Sequence, residues 1–479
     1  MAGPVLAIDA GSTSVRALVV DADLHVLGRA QVHADVHYPV PGRVEQDAAQ
    51  IWSAAETVIS RALTSAGVAR NAVAAIGVTS QRGNVVVWDA KTGHPVAPLV
   101  SWQDTRGAAR AGELIAQGFL ISHQMAAAKI EAVLDAIERG RERIASGALL
   151  WGNIDTYLAW RLSGGAIHAM DHGQACATGY YDYFTGAWNA ALLEAQRLGA
   201  SMLPKLSDTT MHFGDASAAV FGATCPITAL VADQQSASIA EGCLAPGEAK
   251  ATFGTAAALE VNTGVELKIT NGTYPMVLWV RDGVRSFCIE GMVNTAGAMI
   301  DWAVAELGIA ASARELSQLA ASVPDTAGAY VLPALQGLGA PHGDPSRRAV
   351  IGGLSRATTR AHIARAVLEG IAFRLREVRD AAAGAMPMIG ALRADGGASR
   401  SDALMQIQAD VLGASVERLA VVEATALGAA IGAGIGAGFW PADHGARLRR
   451  VDRTFEPHLS ADETEGRFVQ WLQNCTVSV

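Results

Sequence analysis

The chain has 479 residues, 50% of them hydrophobic and only 17% charged, with 50 glycines and a formal net charge of −9. That length exceeds one ordinary core and that apolar fraction excludes a disordered chain, so two packed domains are expected. An acidic balance without a basic block disfavours nucleic acid and membrane surfaces as partners, although a few local cations and dipoles can still hold an anionic nucleotide.

The first stretch that carries chemistry is Leu6–Val20, LAIDAGSTSVRALVV. An apolar run, Val5–Ile8, leads to Asp9. The turn Ala10-Gly11-Ser12-Thr13-Ser14 follows, then Arg16 and a second apolar run, Ala17–Val20. The pattern is a β-hairpin whose tip carries backbone N–H groups, three hydroxyls and a cation beside a carboxylate. Such a tip suits a triphosphate, with Asp9 holding a Mg²⁺ shell; an ordinary solvated turn has the same composition. A third strand is expected over His25–Val32. Within Asp47–Ala66, Ile51, Trp52, Ala55, Val58, Ile59, Ala62 and Leu63 recur at helical spacing, and Gly67 closes the helix. Short strands at Ala74–Thr79 and Asn84–Trp88 precede the turn Asp89–Gly93 and the segment Leu99–Trp102. Residues 105–150 read as helical, and Trp151–Leu162 as a further helix. Thr228–Ala232 is an apolar strand ending at Asp233.

After Gly242 the grammar restarts. Ala249–Thr263, AKATFGTAAALEVNT, again reads as strand, small hydroxyl-bearing turn, strand. The echo suggests two related halves divided near Leu244–Gly247, namely residues 1–245 and 246–479. A helix at His362–Ala383 and a strand at Ala391–Asp395 lead to the turn Gly396–Ser399 and a helix at Asp402–Leu412. There a helix N-terminus can face a phosphate or adenosine. Ala424–Trp440 is the most apolar stretch; it is short for a membrane span and rich in Gly and Ala, which points to a buried, closely packed helix. Beyond Arg450 little pattern remains, though Phe468, Trp471 and Leu472 hint at a docked helix. The cysteines (Cys176, Cys225, Cys243, Cys288, Cys475) are scattered and odd in number, which fits reduced thiols, and MAGPVLAID has no basic n-region, so a cytoplasmic location is expected. The histidines carry no metal spacing.

Several stretches together resemble one family, the FGGY carbohydrate kinases, and its glycerol-kinase-like branch in particular. IDAGSTSVRALV looks like the family's first phosphate loop. Ile76–Arg82 (IGVTSQR), Val87–Gly93 (VWDAKTG) and Ser101–Arg106 (SWQDTR) match its sugar-side segments, Ala232–Gln235 (ADQQ) its catalytic aspartate segment, and Phe253–Thr255 (FGT) its second phosphate loop. Ile351–Glu369, Ala394–Ala398 (ADGGA) and Glu423–Ala430 (EATALGAA) complete a collinear match from about residue 5 to about residue 440. The resemblance implies an α/β fold of two actin/hexokinase-like (ribonuclease H-like) domains with the active site in the cleft between them. It implies ATP and Mg²⁺ as cofactors, a sugar or polyol as the partner molecule, and a homodimer or homotetramer.

It also implies roles. Asp233 would accept the proton of the attacking hydroxyl, where the residue alone reads more readily as a strand-end capping carboxylate. Asp9 would hold Mg²⁺ through water. Ser12, Thr13, Ser14 and Arg16 would meet the phosphates, with Thr255 opposite, and Gly297, Asp301, Gly397 and Ser401 would lie on the nucleotide; Asp301 could equally be a helix-surface charge. Arg82, Gly83, Trp102, Asp104, Gln124, Gln234 and Ala258 would line the acceptor pocket.

The pocket departs from the glycerol kinases. They follow the Gln-Arg pair with a glutamate where this chain has Gly83, and they carry a tyrosine at Gln124 and a phenylalanine at Ala258. An aromatic residue expected at Ala132 is missing, while Lys129 persists. Losing a carboxylate loses a bidentate grip on two hydroxyls. The expected acceptor is therefore larger than glycerol: a tetritol, a pentitol or a ketopentose such as xylulose. Glycerol itself is the alternative, and a non-catalytic actin-like nucleotide or sugar sensor a remoter one, disfavoured by Asp233 with Gln234 and Arg82.

Overall fold

The computed structural model describes residues 3–421 and 423–477. They form two compact units. Unit 1 runs to Ala240 and also takes Met276–Ser286 and Thr425–Leu448; unit 2 holds Glu241–Pro275, Phe287–Ala424 and the segment from Arg449 onward. The sequence pattern suggested two continuous halves divided at 245/246; two later segments instead pack within unit 1.

Unit 1 is built on six strands: β1 (Val5–Ala10), β2 (Ser14–Val20), β3 (Val26–His33), β4 (Ala75–Ser80), β5 (Thr210–Ala216) and β6 (Cys225–Ala232). Their order in the sheet is β5-β6-β4-β1-β2-β3. β1, β4 and β6 are parallel; β2, β3 and β5 run antiparallel to their neighbours. Helices cover the sheet on both faces, which is why β1 and β4 read as unbroken buried runs rather than as an alternation. The helix Ala48–Ala66 starts because the Asp47 side chain accepts from the N–H groups of Ala49 and Gln50, and it ends in left-handed Gly67 (φ 65°). Its Ile51, Val58, Ile59 and Leu63 pack on β1 and β2 residues in one core; each such burial contributes about 1.5–3 kcal/mol.

Unit 2 repeats the plan with β7 (Ala249–Phe253), β8 (Ala257–Gly264), β9 (Tyr274–Arg281), β10 (Val284–Val293), β11 (Leu392–Asp395), β12 (Val416–Leu419) and β13 (Val451–Phe455), ordered β9-β10-β8-β7-β11-β12-β13. In order and direction β7, β8, β10, β11, β12 and β13 correspond to β1, β2, β3, β4, β6 and β5. The echo of the opening hairpin is thus a repeat of the whole sheet. Most of β9, the turn after it and the first residues of β10 (Met276–Ser286) belong to unit 1, where Val280 N–H donates to Thr209 Oγ1 at 2.9 Å.

Two local readings are corrected. The helix expected from Trp151 begins at Ile154; Leu149–Gly152 is a strand paired antiparallel with Val86–Asp89, which buries Trp151 completely. The patternless tail forms β13, an edge strand whose charged, exposed residues hide its pairing signal. The helix Ala461–Val477 then docks Phe468 and Trp471 on the unit 2 core. The Gly/Ala-rich stretch is a helix, Ala424–Gly436, and its small residues have a packing cause. A Cβ on Gly428 would stand 1.7 Å from Ser236 O, and one on Gly436 2.0 Å from Thr228 O, so this helix lies backbone against backbone. Among the described residues no helix is long and apolar enough to cross a membrane, and all five cysteines are free and buried.

Candidate functional site

Three adjacent parallel strands of unit 1 end level with one another: Ala10, Ser80 and Ala232 are paired in register. Chain leaving the carboxyl ends of neighbouring parallel strands is where α/β sheets hold ligands. Asp9, Arg82 and Asp233 meet there. Arg82 Nε lies 3.4 Å from Asp233 Oδ1, and the Gln234 N–H donates to the same oxygen at 2.8 Å. The Asp233 side chain keeps 23% of its surface exposed. It is a fixed, accessible carboxylate.

Asp9 differs. It is only 2% exposed, and Arg16, its cross-strand partner, reaches its Oδ2 at 3.3 Å. Burial raises its pKa to about 6, the Asp233 charge adds to that, and Arg16 opposes it. A buried carboxylate with a second carboxylate charge close by is a donor set suited to a hard divalent cation. The residues present fit Mg²⁺, which Asp9 would hold.

The turn after β1 is pinned by the Gly11 N–H donating to Ser14 O at 3.0 Å. Thr13 is exposed at the tip, whereas Ser14 is buried at the start of β2. The Ser12 hydroxyl is already engaged: it donates to Gln81 Oε1 and accepts from Trp102 Nε1, both at 3.1 Å.

The corner around Gly83 is made of main chain. Gly83 is left-handed (φ 65°), and a Cβ on it would meet Gln124 O at 2.6 Å. Lys129, fully buried, donates from Nζ to the carbonyls of Gly83, Ser101 and Gln124 at 2.7, 2.8 and 2.9 Å. Burial pulls its pKa down to about 7, while the Asp104 charge pushes it up and the Arg106 charge lowers it further. One ammonium thus gathers three segments. Asp104, expected to face the acceptor, is wholly buried: it takes the Val44 N–H at 2.7 Å and three bonds from Arg106. It braces the wall from behind.

In unit 2 the turn after β7 is stitched to the helix Gly297–Ala305. Ala296 and Ala298 N–H donate to Thr255 O, and Gly297 N–H donates to Gly254 O at 2.9 Å. A Cβ on Gly297 would stand 2.5 Å from Gly254 O, so only glycine allows this approach. Thr255 is exposed at the tip. The adjacent parallel strand, β11, ends level with β7 and turns through Gly396 (φ 88°), packed on the Phe253 backbone; beyond it the space at Gly397 is open. Ser401 caps the helix Asp402–Leu412 and shares a 2.6 Å hydrogen bond with Ser317. Ala258 is buried in β8, and Asp301 is exposed on its helix. Lys129, Gln81 and Gln46 were not among the expected site residues. Gln81 adjoins Arg82 in the matched SQR segment and could have been found; nothing in the sequence marks Gln46.

Paired α/β sheets of one topology, each with a small-residue turn after its first strand, and a carboxylate beside an arginine define a two-domain phosphotransferase fold. Models of the FGGY family of carbohydrate kinases match here, the N-terminal domain over residues 4–240 and the C-terminal domain over residues 249–437. A glycerol kinase of Nitratidesulfovibrio vulgaris (strain DP4) is 39% identical over 98% of this chain and 97% of its own length. The crystal structure of Plasmodium falciparum glycerol kinase with ADP is 27% identical with a TM-score of 0.92, covering 100% of this chain and 98% of that one. That of xylulose kinase from Rhodospirillum rubrum is 26% identical with a TM-score of 0.82, covering 99% and 98%. The chain belongs to the FGGY carbohydrate kinases and is an ATP-using phosphotransferase of that family.

Proposed function

We propose that this chain transfers the γ-phosphoryl group of MgATP to a hydroxyl of glycerol. The observation that carries the acceptor is end-to-end identity of 39% with a protein named glycerol kinase, together with retention of Arg82, Trp102, Asp233 and Gln234. This favours glycerol over the larger acceptor expected from the sequence. Asp233, oriented by Arg82 and the Gln234 N–H, receives the proton of the attacking hydroxyl as the phosphoryl group leaves. Asp9 holds Mg²⁺, which carries phosphate charge when bound. The turns at 11–14 and 254–255 meet the nucleotide phosphates with the exposed Thr13 and Thr255 hydroxyls, and the N–H groups of Ala296, Gly297 and Ala298 hold the second turn in place.

A second reading, a tetritol, pentitol or ketopentose as acceptor, is favoured by one specific observation. At Gly83 the backbone is left-handed and pressed against Gln124 O, so no glutamate side chain grips two hydroxyls there. A coupled ADP-release assay over C3 to C6 polyols and ketoses separates the two: glycerol is expected to give the highest kcat/KM, and xylitol or xylulose exceeding it about tenfold would move the acceptor to the second reading. ADP release that ignores every acceptor would overturn both. Asp233→Asn is expected to keep MgADP affinity within about twofold and to lose transfer by about 10²–10⁴.

A further inference from the structure

Trp102 and Ser12 are ninety residues apart in sequence and joined by one hydrogen bond, Nε1 to Oγ at 3.1 Å. An indole N–H can only donate, so Ser12 Oγ must accept from it and direct its single proton elsewhere. That proton goes to Gln81 Oε1 at 3.1 Å. The carbonyl side of the Gln81 amide being fixed, its Nε2 donates to Gln46 Oε1 at 2.8 Å, and Gln46 Nε2 returns to the Ser12 carbonyl at 3.1 Å. The ring closes with every donor direction set by the indole. Gln81 and Gln46 are 1% and 2% exposed, so water does not readily replace their bonds. Gln81 is itself anchored to the end of β1 through its N–H to Ala10 O at 3.0 Å. Gln46 sits in the two-residue strand paired with Leu99–Val100, just before Trp102.

We propose that Gln81 and Gln46 are positioning residues that couple Trp102, the acceptor wall, to Ser12, the phosphate turn, so that acceptor and nucleotide bind cooperatively. The proposal rests on the kinase reading above, which puts acceptor on Trp102 and phosphate on the turn. A ligand that orders the turn fixes Ser12 Oγ and with it the indole; a polyol seated on Trp102 fixes the turn in return, by the same factor. Because the Ser12 proton is directed at Gln81, phosphate contacts at residue 12 come from its backbone and not from its hydroxyl.

The test is the dissociation constant of MgADP by titration calorimetry, without acceptor and with saturating glycerol, then with xylulose. Native protein is expected to bind MgADP about tenfold tighter with the acceptor it phosphorylates. Gln81→Met removes the acceptor of the Ser12 proton; the enhancement should fall below twofold while MgADP affinity without acceptor stays within threefold. Gln81→Glu keeps an oxygen for the Ser12 proton but loses the Nε2 donor to Gln46 Oε1, so it should restore about half of the enhancement, a partial rescue that a packing role would not produce. Gln46→Met frees the Gln81 amide and should halve the enhancement or more, and it carries the test if Gln81→Met does not fold. An unchanged enhancement in Gln81→Met, or in Gln46→Met where that variant stands in, overturns the coupling. So does a native protein that phosphorylates an acceptor yet shows no enhancement, which leaves the kinase reading intact. Absence of transfer to every acceptor sinks the kinase reading and the coupling with it.

Discussion

Replacing Lys129 by methionine tests how the acceptor corner is held. Three carbonyls, those of Gly83, Ser101 and Gln124, lie 2.7–2.9 Å from one fully buried ammonium. Methionine fills the stem volume but donates nothing. Each buried carbonyl left without its donor costs about 1–3 kcal/mol, and removing a buried charge returns several kcal/mol of desolvation, so the net loss should be about 2–4 kcal/mol. For a unit of this size that lowers Tm by roughly 5–15 °C. The functional signature is selective. The acceptor KM should rise at least tenfold, because the three freed segments no longer share a register, while the MgADP dissociation constant moves by less than about twofold. Steady-state kinetics over acceptor at saturating MgATP, with calorimetry for MgADP, read both. There is also a pH signature. A neutral amine has two protons for three carbonyls, so with the Lys129 pKa near 7 the native acceptor KM should climb above neutral pH, and that climb should be missing in Lys129→Met. Native KM, native Tm and an unaltered pH profile in the variant would refute the clamp.

Other expectations follow from the same geometry. Asp9, with its pKa raised to about 6 by burial, must ionise to hold Mg²⁺, so the Mg²⁺ concentration for half-maximal rate should rise as pH falls from 7 to 5.5, and Asp9→Asn should raise it at every pH. Gly297→Ala drives a Cβ toward Gly254 O; it should weaken MgADP about tenfold by calorimetry and leave the acceptor KM within twofold. Asp155 is fully buried and its pKa is raised to about 8, first by burial and then by the Asp171 charge. The folded state therefore keeps a proton that the unfolded chain gives up above about pH 4, and stability drains away as pH rises toward 8. Asp155→Asn should remove that loss, so that its Tm exceeds the native value at pH 9 and not at pH 5; the reverse order would contradict a protonated carboxyl.

The fold was legible where local chemistry and burial agree. The opening hairpin, its helix with Asp47 and Gly67 at the ends, and the restart near Ala249 are written in periodicity and caps. The strands at Leu149–Gly152 and Val451–Phe455 were not, because the first abuts a helix with no capping side chain and the second, Val-Asp-Arg-Thr-Phe, is exposed at every residue but the last. Nor was the insertion of Met276–Ser286 and Thr425–Leu448 into unit 1; it depends on sheet and helix partners far away in sequence. At the site, carboxylates and arginine announce themselves through residue type. Gln46 does not, since a glutamine in a two-residue strand has no signature until its partners are in place.

The acceptor question turns on this same difference. At Gly83 and Gln124 the corner is lined by carbonyls that Lys129 has already taken, and Asp104 is turned away onto Arg106. On the proposed reading, Arg82 and Asp233, which lie together at the strand ends, and Gln234 grip the reacting end of the acceptor and not its length. Recognition concentrated at one end discriminates poorly by chain length, because an extra carbon leaves no buried polar group unpaired. The kcat/KM ratio between glycerol and erythritol should therefore lie within about tenfold. A ratio above about a thousandfold in either direction would mean that a side chain reads the far hydroxyl, and Gln124→Ala, which should otherwise be mild, would then collapse the preference.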